Sequence, residues 1–286
     1  IGHTEKVRWV SFSPNGKMLA SASDDNKVKL WDTSTGKEIK TLTGHTNAVL
    51  GVSFSPDGKV LASASFDKTV KLWDTSIGQQ IKTLTEHKDA VWGVSFSPDG
   101  KMLASASADN KVKLWDTSTD QQIKTLIGHI NWVWGVSFSP DSKMLASVSA
   151  DKTVKLWDTS TDQQIKLKPL TGHTEMVYSA SFSPDSKMLA SASADKTVKL
   201  WDTSTGKEIK TLTGHKDAVN GVSFSPNGKM LASASRDNTV KLWRWDFDYL
   251  LKEGCNFMNE YFKTNPVNDQ SDKHLCDHAT ISKNNH

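Results

Sequence analysis

At 286 residues, with 35 Lys and Arg against 32 Asp and Glu and a net charge of +3, the chain has material for a sizeable packed interior. That balance gives it no charge excess to draw it to phosphate backbones or anionic membranes. Its apolar stretches are short and broken by Ser, Asp and Lys, which excludes a helical span of about 20 apolar residues, and no secretory signal pattern stands at its start. The expectation is a soluble, cytoplasmic protein with neither nucleic acid nor membrane as partner.

In chain order one unit recurs. A Gly-His or Glu-His step places His3, His45, His87, His129, His173 and His215, and a Lys-Leu-Trp run places Trp31, Trp73, Trp115, Trp157, Trp201 and Trp243. Both series advance by 42, 42, 42, 44 and 42 residues. The second copy shows the elements. Residues 48–55 alternate Val52 and Phe54 as a strand, stopped by the turn Pro56-Asp57-Gly58. A second strand over 60–65, a tight turn at Phe66-Asp67-Lys68, a third strand over 69–73, a loop over 74–79 and a fourth strand over 80–84 follow. Four short antiparallel strands cannot bury both faces alone, so units of this period must stack around a ring. The expected fold is all-β, a β-propeller with six visible four-stranded blades. The longer interval puts its two extra residues in Leu167-Lys168-Pro169-Leu170, an outer strand where a bulge and a proline cost least.

The pattern His, then about twenty residues on, Ser-Ala-Ser-x-Asp-x-x-Val-Lys-Leu-Trp-Asp resembles the WD-repeat β-propeller family over residues 2–243. The resemblance implies a structural hydrogen-bond tetrad in each blade: His before the first strand, Ser in the second, Asp in the tight turn, Trp in the third. The sets are His3, Ser21, Asp25, Trp31; His45, Ser63, Asp67, Trp73; His87, Ser105, Asp109, Trp115; His129, Ser147, Asp151, Trp157; His173, Ser191, Asp195, Trp201; and His215, Ser233, Asp237, Trp243. Departures are few: Arg244 follows Trp243 in place of Asp, and Glu86 replaces Gly before His87.

A Ser, His and Asp in one group invite comparison with a hydrolase triad. Sixfold repetition at the same place in a repeated unit favours a structural network that satisfies buried polar groups, and no nucleophile elbow or distinct base accompanies it. No phosphate-cradling loop, HExxH or CxxC is present, so no cofactor and no enzyme activity are expected. Cys255, His274, Cys276 and His278 are metal-ligand types at a spacing that fits no usual zinc site; ordinary packed thiols are preferred, with a Cys255–Cys276 disulfide as the lesser alternative.

After Trp243 the repeat stops. The expected domains are a propeller over 1–245 and a helical tail over 246–286 that packs on it. Leu250, Leu251, Cys255, Phe257, Met258, Tyr261 and Phe262 fall mainly at helical intervals, Asn265-Pro266 ends that helix, and a second short helix is placed from Ser271. The tail also resembles the ending of bacterial, often cyanobacterial, WD-repeat proteins, some with an upstream NACHT-type signalling ATPase. An accessory sensor of such an ATPase is therefore the alternative function. Ile1 aligns with Ile127, just past a fourth strand, so only five outer strands accompany six copies of the other three. The last blade is expected to lack its outer strand, the edge over 239–243 to be exposed, and the parent ring to have seven blades.

Comparison among the copies locates a candidate site. The Ser-Pro-Asp/Asn and Asp-Thr-Ser turns hardly vary. Three positions vary freely: three residues after His (Lys6, Ala48, Ala90, Trp132, Met176, Ala218), five after it (Arg8, Leu50, Trp92, Trp134, Tyr178, Asn220) and just before the turn Asp (Asp24, Phe66, Ala108, Ala150, Ala194, Arg236). The strand order puts all three classes at one end of every blade, the His-loop face. A buried position would not accept Arg, Trp and Asn in turn. The expected function is a non-catalytic scaffold or sensing module that binds a protein or peptide through Lys6, Arg8, Asp24, Leu50, Phe66, Trp92, Trp132, Trp134, Met176, Tyr178, Asn220 and Arg236, with the aromatics at the centre.

Overall fold

Alternating Val, Phe, Leu and Trp with Ser and Lys suits strands whose two faces are both covered by neighbours. The computed structural model, which describes residues 2–159 and 169–244, arranges twenty-two strands in six antiparallel meanders. The first sheet holds β1 (Val7–Phe12), β2 (Met18–Ser23), β3 (Lys27–Asp32) and β4 (Glu38–Thr43), and the second β5 (Val49–Phe54), β6 (Val60–Ser65), β7 (Val70–Asp74) and β8 (Gln80–Leu84). The third holds β9 (Val91–Phe96), β10 (Met102–Ser107), β11 (Lys111–Asp116) and β12 (Gln122–Ile127), and the fourth β13 (Val133–Phe138), β14 (Met144–Ser149) and β15 (Val154–Asp158). The fifth holds β16 (Val177–Phe182), β17 (Met188–Ser193), β18 (Val198–Asp202) and β19 (Glu208–Leu212), and the sixth β20 (Val219–Phe224), β21 (Met230–Ser235) and β22 (Val240–Arg244).

Two sheets have three strands among the described residues. In the fourth, Leu170 pairs with Val154 as an isolated bridge, so the outer edge is partly covered near the expected insertion. The sixth ends at β22. The expected helical tail and both cysteines lie outside the described residues. In the second copy the third strand begins one residue later than the pattern predicts. Thr69 closes the turn instead, its hydroxyl donating to Asp67 Oδ1 at 2.6 Å, and Lys68 takes a left-handed φ of 69°.

The core lies between blades. Ala62, Ala64, Val70 and Leu72 of the second sheet pack on Val91, Phe96, Leu103 and Trp115 of the third, and equivalent clusters fill the other junctions. Inner strands β1, β5, β9, β13, β16 and β20 stand side by side in that order around one channel. Close approach explains a glycine in them. A Cβ at Gly51 would stand 3.1 Å from the Trp92 carbonyl oxygen of the next strand, and one at Gly93 would stand 3.3 Å from that of Trp134.

Candidate functional site

The tetrads are closed in all six blades. Each Trp Nε1–H donates to its Ser Oγ at 2.8–2.9 Å, each Ser Oγ lies 2.7–2.8 Å from His Nε2, and each His Nδ1 lies 2.7–2.9 Å from Asp Oδ2. One proton arrangement serves every link: indole to hydroxyl, hydroxyl to Nε2, and Nδ1–H to carboxylate. Ser63, Ser105, Ser147 and Ser191 are fully buried, so no substrate reaches their hydroxyls. Burial alone would push the Asp109 carboxyl up. The hydrogen bonds from His87 and from the Lys88 and Lys111 amides, with the attraction of the imidazole, outweigh that and lower it to about 2. Asp67, Asp151 and Asp195 are held well below the usual range by the same balance, with Thr69, Thr153 and Thr197 hydroxyls adding to it. The group is an internal strut tying the His loop to the second and third strands and the turn between them.

That strut sets the variable positions. Within each blade the residue before the turn Asp donates its N–H to the carbonyl of the residue three after His: Asp24 to Lys6, Phe66 to Ala48, Ala108 to Ala90, Ala150 to Trp132, Ala194 to Met176 and Arg236 to Ala218, at 2.8–3.0 Å. The third class, five after His, is the extra residue of a β-bulge in the inner strand of every blade. The pairing register skips Arg8, Leu50, Trp92, Trp134, Tyr178 and Asn220. A bulge re-aims its side chain and ends regular pairing, which frees that position from the strand's in-and-out alternation. Periodicity alone misses the bulge. Its signal is the Gly that follows the variable residue at Gly51, Gly93, Gly135 and Gly221.

Five of the singled-out side chains form one chain of ring contacts across four blades. Phe66 meets Trp92 edge-on at 4.9 Å, Trp92 meets Trp134 at 4.4 Å and Trp132 at 6.3 Å, Trp132 meets Trp134 at 5.7 Å, and Trp134 meets Tyr178 at 5.7 Å. The Arg236 guanidinium lies 5.4 Å over the Tyr178 ring and donates through Nε to Asn220 Oδ1 at 3.2 Å. Arg8 forms a forked pair with Asp24 at 2.6 and 2.7 Å, and this hydrogen-bonded carboxylate holds the guanidinium pKa above its ordinary value. Thus blades two to five carry an aromatic sector, and blades six and one a polar one. Trp132 is 46% exposed, and Phe66 and Met176 are also exposed; Trp92, Trp134 and Tyr178 are half-buried. The indole N–H groups of Trp92 and Trp134 are buried and have no acceptor. Lys6 is exposed beside the Arg8–Asp24 pair.

Leu50 corrects the expected site. It is only 6% exposed, so it supports the face from below and offers a partner no surface. The side chain at the bulge decides its own fate: an aliphatic one is covered, whereas Arg8 and Asn220 at the same place stay in water. Ala48, Ala90 and Ala218 are likewise buried, so the position three after His is surface only where a longer side chain occupies it.

The channel has a volume of about 530 Å³ and is lined by serines from every blade, Ser11, Ser53, Ser95, Ser137, Ser181 and Ser223 among them, beneath Trp92, Trp134 and Tyr178. Among the described residues no Lys, Arg, His, Asp or Glu lines it, so these offer a phosphate or carboxylate no counter-charge there. Trp9 also lines it, standing where other blades have Gly or Ser; its departure from the repeat is the sequence signal for it. Also missed by pattern reading is a lysine beside each third-strand Trp. Lys29 donates to Glu38 at 2.6 Å and Thr41 at 2.8 Å, and Lys199 to Glu208 at 2.8 Å and Thr211 at 2.7 Å. Lys113 meets Gln122 where those meet Glu, and burial pushes its ammonium pKa down.

Repeated blades, closed struts and a variable end face around an uncharged channel define a repeat-built interaction fold. The family model for the WD domain, G-beta repeat, matches residues 1–32, 36–74, 78–116, 120–158, 164–202 and 206–244, and the chain belongs to this WD40 repeat family. Such repeat propellers are generally non-catalytic protein-interaction scaffolds. Among curated proteins, a ribosome biogenesis protein BOP1 homolog of Drosophila virilis is 51% identical over 41 residues, and the ribosome biogenesis protein ERB1 of Debaryomyces hansenii is 50% identical over 38 residues. These matches take in 14% and 13% of this chain and 5% of each relative, about the length of one repeat. The likeness is therefore to the repeat.

Proposed function

We propose that the chain is a scaffold that seats a protein or peptide partner on the His-loop face, against the aromatic sector of blades two to five. The observation that carries this reading is the continuous ring cluster from Phe66 to Tyr178, exposed at Phe66 and Trp132, with the exposed Met176 on the same face. Aromatic anchors with a polar border are what contact surfaces use. The Arg8–Asp24 and Arg236–Asn220 pairs supply that border. The role of the ribosome biogenesis proteins does not pass to this chain, because one repeat's likeness carries no partner with it.

Peptide-display selection against the full chain tests the reading. Peptides so obtained are expected to bind the Trp132→Ala/Met176→Ala variant about tenfold or more weakly, and an Ile77→Ser variant on the opposite, constant face as well as the parent. Undiminished binding to the first variant, or loss only with the second, overturns it.

A further inference from the structure

Every junction between successive blades has the same two halves. One is the second- and third-strand set Ala, Ala, Val and Leu (Ala146, Val148, Val154 and Leu156 in the fourth blade); the other is the next blade's first-strand Val and Phe with its Leu and Trp. Six blades carry six of each half, and the described residues form five junctions. On the sixth blade, Ala234, Val240 and Leu242 remain uncovered, Val240 at 67% and Leu242 at 63% exposure, whereas Val28, Val70, Val112, Val154 and Val198 at the equivalent place are buried. Among the described residues, no atom outside its chain neighbours stands within 4 Å of where a Cβ would lie at Gly221, although the next inner strand crowds Gly51 and Gly93. Opposite, Val7, Val10 and Phe12 of the first blade are exposed as well. An apolar sheet face of this kind beside an open strand edge is a binding surface or an aggregation hazard.

We propose that residues 245–262 of this chain seat on the free face of the sixth blade and cover Ala234, Val240 and Leu242. Three observations favour this occupant. The segment continues directly from Arg244, the last residue of β22, so it is tethered beside the face and its effective concentration there is high. Within it stand Trp245, Phe247, Tyr249, Leu250, Leu251, Phe257, Met258, Tyr261 and Phe262, nine large apolar side chains in eighteen residues, which need an apolar partner. Charge also matches. The sixth blade, residues 215–244, has five Lys and Arg against two acids, and residues 245–262 have four acids against one Lys. A second copy, docking the first blade of one chain on the sixth of another, is the competing occupant.

Hydrogen exchange on the full chain decides. The amides of β21 and β22 are compared with those of β17 and β18, in the parent and in a Leu251→Asp/Phe257→Asp variant. The expected result is exchange about tenfold or more faster in β21 and β22 of the variant, with β17 and β18 unchanged and no dependence on protein concentration. Equal exchange in parent and variant overturns the proposal, and so does protection that disappears on dilution, which assigns the face to a second copy. Should the variant fail to fold, Val240→Lys/Leu242→Lys examines the same contact from the other side. Proteolytic cleavage within 245–262 must then increase, and unchanged cleavage overturns the proposal.

Discussion

Replacing Asp109 by Ala removes one carboxylate that serves three donors. His87 Nδ1 lies 2.9 Å from Oδ2, the Lys88 amide donates to the same oxygen at 3.0 Å, and the Lys111 amide donates to Oδ1 at 3.1 Å. The His87 side chain is almost wholly buried, so its N–H is left without water or acceptor, which costs about 1–3 kcal/mol. The two turn amides lie at the surface and regain water, losing about 0.5–1 kcal/mol each. The expected loss is therefore about 2–5 kcal/mol, or a fall in Tm of about 4–10 °C for a chain of this size. Asp109→Asn, which keeps one acceptor, should fall between. Stacked repeats need not unfold in one step, so urea titration followed by tryptophan fluorescence should be joined to hydrogen exchange on β10 and β11. Asp116→Ala, at the exposed loop on the opposite end of the blade, is the control, since its partners Ser118 and Thr119 are open to solvent. A stability for Asp109→Ala within about 0.5 kcal/mol of the parent would refute the strut.

Acid should unfold the protein through the same groups. Their folded pKa values lie below the ordinary 3.8, that of Asp109 at about 2, so their stabilisation is present above that ordinary value and is lost as pH falls through the folded one. The urea midpoint should drop between pH of about 4 and about 2, and a midpoint flat across that window counts against the coupling. At the tight turns, Lys68, Lys152 and Lys196 hold left-handed φ angles of 69°, 69° and 71°, where Asn26, Asn110 and Asn238 hold 66°, 67° and 64°. Changing the three lysines to Asn should raise stability by about 0.5–1 kcal/mol each by relieving that strain, and no gain in the triple variant would refute it.

The period, the strand order within a blade and the membership of each tetrad could be read from the sequence because each rests on local chemistry repeated in one chain. Six complete His, Ser, Asp and Trp sets at one spacing leave a single way to connect them, and Pro56-Asp57-Gly58 or Phe66-Asp67-Lys68 mark their turns wherever the strands pack. Comparison of the copies also located the variable end, since the direction of each strand follows from its turns. Accessibility at that end was settled only by tertiary structure. Leu50 and Trp134 occupy the same bulge, yet one is covered and the other joins a cluster built by three other blades. The bulge itself depends on pairing across β1–β2 and its counterparts, which a two-residue alternation does not report. Trp9 in the channel and the uncovered Val240 and Leu242 have the same origin. Val240 and Leu242 are ordinary for their repeat positions and Trp9 is not, but the surroundings of all three depend on which strand stands next to them in space. Burial belongs to the junction between blades, and a junction is a property of two blades at once.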